Sequence, residues 1–95
     1  MSPYNKKKLL NIRKKLDLLD NKLLDLIKSR TLLVNKVIKL KEFKKEIIDH
    51  KRIKKILINI KKKSKSMKVD PYITGRIWKN MIWSYINYEK KKFKK

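Results

Sequence analysis

The segment Leu9–Lys41, LLNIRKKLDLLDNKLLDLIKSRTLLVNKVIKLK, decides the fold. Its apolar positions run Leu9, Ile12, Leu16, Leu19, Leu23 and Leu26, then reach Arg30, then resume at Leu33, Val37 and Leu40. Steps of three and four in alternation are the seam of a helix that packs lengthwise against another, here with one cation inside the seam. Working outward, Ser2-Pro3 supplies an N-cap and a first helical residue, and no Pro or Gly interrupts the chain again before Pro71. The pattern predicts a helix from about Asn5 to Glu42, on the order of 55 Å long at 1.5 Å per residue. Two shorter helices of the same chain cannot cover that length, so a second copy is the economical way to bury the seam, and a homodimer built on the long helix is expected.

A polar break at Lys44 to Glu46 closes the first helix, and Asp49 is a candidate N-cap for a second, with Ile53, Ile56, Leu57 and Ile60 on one face. The run from Lys61 to Lys68, rich in lysine and holding Ser64 and Ser66, is expected to be a solvated connector. Asp70-Pro71 then gives the cap and first residue of a third helix. Its apolar face carries Ile73, Ile77, Trp78, Met81, Ile82, Tyr85 and Ile86 and continues through Glu89 to Phe93, whereas Lys90 to Lys95 is expected to fray apart from Phe93. Trp83 lies off that face. The fold class is therefore all-α, with three helices per subunit, one long, one short and one medium, in an intertwined homodimer, and residues 1–95 form a single domain.

With 95 residues, one Gly, two Pro and 41% hydrophobic content, the composition leaves little turn chemistry for a sheet. Zero Cys removes disulfide frameworks, thiolate metal sites and Cys nucleophiles, and makes a reducing cytoplasm the default. No apolar run approaches the roughly 18 residues of a spanning helix, so neither export nor membrane insertion is expected. The net charge of +22 would ordinarily point to a polyanion such as nucleic acid. Of the 30 basic residues only Arg13, Arg30, Arg52 and Arg76 are arginine, which leaves 26 lysines in a chain also rich in Ile and Asn. All three have A/T-rich codons, so nucleotide bias can supply much of the lysine, and a nucleic-acid partner is disfavoured. The arginines carry more information, because only a guanidinium offers bidentate carboxylate recognition.

Several charged groups fall on apolar faces. Lys41 lies three turns beyond Arg30 at nearly the same angle, so two cations face one interior. Arg30 can instead snorkel or pair with Asp17, Asp20 or Asp25 as a polar residue that sets register. Arg13 is rotated roughly 100° from Arg30, too far for one ligand within a subunit but not across an intertwined dimer. Glu89, one turn past Tyr85 and Ile86, needs a partner or a proton; Lys90 and Lys92 are local partners. His50, beside the cap with no second His and no Cys, is read as a surface residue.

Together these residues resemble the all-helical AroQ class of chorismate mutases, over about Leu9 to Glu89. The segment Leu9-Leu10-Asn11-Ile12-Arg13-Lys14-Lys15-Leu16-Asp17-Leu18-Leu19-Asp20 is similar to that family's opening L-x-x-[IL]-R-x-x-[IL]-D-x-[IL]-D, and the likeness continues through Leu23, Leu24, Leu26 and Ile27 to Arg30, Leu33-Val34 and Lys41. The resemblance implies that Arg13 crosses into the partner's site and that Arg30, Lys41 and Arg52 bind from the same subunit. It also places Asp49 near the substrate hydroxyl, Glu89 at the family's Gln or Glu late in helix three, and Tyr85 where the family often has Ser or Thr. Ile53 stands where the family usually has Glu.

The activity so implied is the pericyclic rearrangement of chorismate to prephenate in aromatic amino acid biosynthesis, which needs no metal and no cofactor. Arg13 and Arg30 would clamp the two carboxylates, Lys41 and Glu89 would donate to the breaking ether oxygen, and Arg52 would help position the substrate. Glu89 donates only while protonated, so activity is expected to fall as pH rises through its titration. Two other readings stay open. One is a basic helical nucleic-acid-binding protein, which Trp78, Trp83, Tyr85 and Tyr88 would serve, although these aromatics mostly follow helix periodicity. The other is a catalytically silent dimerisation or regulatory module of the same fold.

Overall fold

The computed structural model describes residues 1–94 and consists of α1 (Pro3–Leu40), a 3-10 turn (Lys44–Ile47), α2 (His50–Ser66) and α3 (Pro71–Lys92). Ser2 caps α1 as its position suggests: its hydroxyl accepts from the Asn5 N–H at 3.1 Å. The helix ends at Leu40, two residues before the expected Glu42. The stretch expected as a plain polar break winds into the 3-10 turn, because Ile47 at its end is drawn into the core at 3% exposure.

Asp49 caps α2 by accepting from the Arg52 N–H at 3.0 Å, and Asp70 caps α3 by accepting from the Tyr72 N–H at 2.9 Å. The expected connector at Lys61 to Lys68 is a correction: α2 runs on through Ser66. Lysines are good helix formers and favour the negative end of the helix dipole. Ser64 also continues the inner face one turn beyond Ile60. Its buried hydroxyl donates to the Ile60 carbonyl at 2.6 Å and stands 2.7 Å from that of Thr74 on α3. The helix stops in a Schellman motif, with Lys68 N–H bonded to the Lys65 carbonyl, Val69 N–H to that of Ser64, and Lys68 itself at φ 57°.

The chain divides into two compact units, Met1–Leu33 and Val34–Lys95. In the second, Ile47, Ile82 and Ile86 form the buried core, with Ile48, Ile53, Ile56, Leu57 and Phe93 packed against them. The α3 face narrows relative to expectation, since Ile73 and Ile77 remain exposed. The tail expected to fray from Lys90 is helical through Lys92, held by the Phe93 side chain in the core and its N–H on the Glu89 carbonyl. Lys95 lies outside the described residues. The first unit is a single helical stretch whose Leu16, Leu19, Leu23 and Leu26 are all exposed.

Candidate active site

Lys41 follows the last residue of α1, and Glu89 sits in the final turns of α3 next to the isoleucine core. The structure brings them together: Lys41 Nζ stands 3.4 Å from Glu89 Oε1, with side-chain exposures of 17% and 9%. The partners are 48 residues apart in sequence. Glu89 therefore pairs with neither Lys90 nor Lys92, the local partners its sequence position offered; both of these are exposed. At 3.4 Å the contact is longer than the 2.7–2.9 Å usual for a charge-assisted bond, so it holds the two groups in reach without locking them. Lys41 Nζ also reaches the Ile47 carbonyl at 3.5 Å. The lysine is thus aimed by the 3-10 turn on one side and by α3 on the other.

Beside Lys41 lies an open depression lined by Glu46, Ile48, Asp49, His50 and Lys51. Asp49 reaches this site through its role as α2 cap, and Oδ1 is engaged by the Arg52 N–H. Arg52 itself is exposed in the first turn of α2, and His50 is exposed as expected. Tyr85, one turn before Glu89, is half-buried and meets the Tyr88 ring edge-on, with centroids 6.3 Å apart. Ile53 serves the core: it packs against the buried isoleucine cluster. In the first unit Arg13 is exposed, whereas Arg30 is partly covered among leucines that are not, Leu26 being 66% exposed and Leu33 61%.

Two features escaped sequence reasoning. Tyr88 donates to Asn35 Oδ1 at 2.6 Å, a part-buried bond from α3 to α1. Tyr88 could have been found by its spacing from Tyr85, but Asn35, set among lysines, carried no signal. Ser64 could have been found by extending the 57, 60, 64 spacing of α2.

A chain of three helices that sets an ammonium and a carboxylate against the edge of an apolar core belongs to the class of small all-helical proteins with a charged interior. More narrowly, the chain belongs to the chorismate mutase type II family, whose model matches residues 12–90. No curated protein and no solved structure matches it. Among the described residues no helix is long and apolar enough to cross a membrane.

Proposed function

We propose that the chain is a cytoplasmic chorismate mutase that works as an intertwined homodimer and supplies prephenate for phenylalanine and tyrosine synthesis. The observation that carries this proposal is the part-buried Lys41–Glu89 pair at 3.4 Å, at the two positions to which the resemblance assigns the ether-oxygen donors. The substrate is a dianion and the reaction is unimolecular, so the protein's task is to select the compact conformer and to stabilise charge on the breaking C–O bond. Arg30 would hold one carboxylate through its planar fork, and Arg13 of the partner subunit the other. Arg52 and Asp49 would position the ring end, and Tyr85 would border it.

The ether oxygen accepts hydrogen bonds, so Lys41 and Glu89 must part and both present donors. Lys41 does so as an ammonium. Glu89 does so only as the neutral acid, because a carboxylate is acceptor-only. The Lys41–Glu89 contact of 3.4 Å competes with the arrangement needed for chemistry.

Loss of chorismate absorbance on the purified protein is the primary test. Arg30→Ala should lower kcat/KM by about a thousandfold with the fold intact, and Arg30→Lys by nearly as much, since one ammonium cannot replace two parallel N–H donors. Glu89→Gln keeps a donor at every pH, so its rate should lack the decline with rising pH that this role predicts for the parent. Identical pH profiles in the two proteins would remove Glu89 from this role. Ile53, packed on the core where the family usually carries Glu, favours a second reading, a silent module of the same fold. It predicts a normal helical dimer that leaves chorismate untouched.

A further inference from the structure

We infer that Tyr88 and Asn35 are a positioning pair that sets the approach of Lys41 to Glu89, an inference that rests on the proposed activity for its kinetic consequence. Two ties join the same two stretches of the second unit. Tyr88 Oη donates to Asn35 Oδ1 at 2.6 Å, and Lys41 Nζ meets Glu89 Oε1 at 3.4 Å. On α3 the tied residues are consecutive, whereas on the other side Asn35 lies within α1 and Lys41, six positions on, stands just past its end. One contact alone leaves the end of α1 free to turn on α3, which α2 and the 3-10 turn already hold. A second contact six residues on fixes the approach of Lys41.

The two ties differ in the way their tasks require. A hydroxyl–amide bond of 2.6 Å is at the short end of its range, and both partners are half-buried. The Lys41–Glu89 contact is long and must open when a ligand oxygen comes between its members. The neutral bond therefore holds the helices while the charged pair parts. The Tyr88 ring is itself held from both directions along α3, edge-on by Tyr85 at 6.3 Å and under the Lys92 ammonium at 5.8 Å. Lys41 and Lys92 are the charged groups the structure places against Glu89 and Tyr88 respectively. Neither Tyr88 nor Asn35 is required to touch the reacting atoms, so their effect runs through Glu89 and Lys41.

The test compares Tyr88→Phe, Asn35→Leu and Asn35→Asp, the last retaining an oxygen acceptor for the phenol. Turnover, its pH profile and the titration midpoint of the Glu89 carboxyl carbon by NMR are measured on the whole chain. Tyr88→Phe and Asn35→Leu should each lower kcat about tenfold with KM changed less than about twofold, since a displacement well under 1 Å at the reacting groups is enough for that loss. The double variant should be no worse than either single one, and Asn35→Asp should recover to within about twofold of the parent. The Glu89 midpoint should move in Tyr88→Phe. A fall in thermal midpoint with unchanged kcat, pH profile and Glu89 midpoint would overturn the inference, as would an Asn35→Asp variant no better than Asn35→Leu. If Tyr88→Phe does not fold, the two Asn35 variants decide. Should the parent protein itself leave chorismate unchanged, the proposed activity fails while the NMR midpoint still decides whether Tyr88 positions Glu89.

Discussion

The two units of this chain solve the burial problem in opposite ways. Residues 34–94 gather the 3-10 turn, α2 and α3 around Ile47, Ile82 and Ile86, each no more than 6% exposed. Residues 3–33 present a heptad-like row of leucines, of which Leu16, Leu19, Leu23 and Leu26 are 52–66% exposed. A helix that is apolar along one seam gains its stability from whatever covers the seam, not from propensity alone. The second unit carries its own core; the first has the pattern of a half-interface. The contrast teaches that the same spacing rule, steps of three and four, marks a core in one place and an exposed apolar seam in the other.

The largest effect should come from breaking the seam. Leu19→Asp together with Leu23→Asp puts two carboxylates where a partner helix is expected, at a cost of several kcal/mol for each unpaired buried charge. On the proposed homodimer and activity, the variant should sediment as a monomer and lose chorismate turnover, because Arg13 would no longer reach a neighbouring site. Trp78 and Trp83 both lie in the second unit, so tryptophan emission should stay near that of the parent. A variant that stays dimeric would show that the subunits meet elsewhere, and an unfolded tryptophan signal would erase the distinction between the two units.

What was legible follows from the range of the interactions involved. The caps at Ser2, Asp49 and Asp70 are local chemistry, within three residues of the N–H groups they serve, and all three could be read directly. The same holds for the seam of α1 and for the inner stripe of α3 at Ile82, Ile86 and Glu89. The end of α2 was misread because Ser64 is polar and sits among lysines; its burial depends on Thr74, ten residues away on another helix. Lys41 and Glu89 were each visible as charges on apolar faces. Their contact spans 48 residues and has no local signature, so only the family resemblance joined them beforehand. Asn35 illustrates the limit. An amide on a lysine-rich helix looks solvated until the phenol of Tyr88 is found 2.6 Å away.

A smaller effect should follow from thinning the core of the second unit. Ile86 is 4% exposed at its centre, and Ile86→Ala removes methylenes that neighbouring isoleucines cannot fully replace. The expected loss is about 3 kcal/mol in urea unfolding followed by tryptophan emission, with the oligomeric state unchanged when assayed well below the midpoint. Dissociation of the proposed dimer by this substitution would mean that the core and the seam are one cooperative structure, and the comparison would have to be abandoned.

The smallest effect is a gain, and it probes the corner between α2 and α3. Lys68 occupies the left-handed position of the Schellman motif at φ 57°, where a Cβ crowds the following carbonyl and costs about 1 kcal/mol. Glycine removes that strain but gives back part of it through the greater freedom of the unfolded chain, and the loss of a cation near the helix C-terminus subtracts a few tenths more. Lys68→Gly should therefore stabilise by about 0.5 kcal/mol, a rise of roughly 2–4 °C in Tm for a domain of this size. Lys68→Ala separates the causes, because it loses the charge and keeps the Cβ. It should show no rise. If alanine stabilises as much as glycine, relief of like-charge repulsion among Lys63, Lys65 and Lys68 is the origin, and backbone strain at this corner is not.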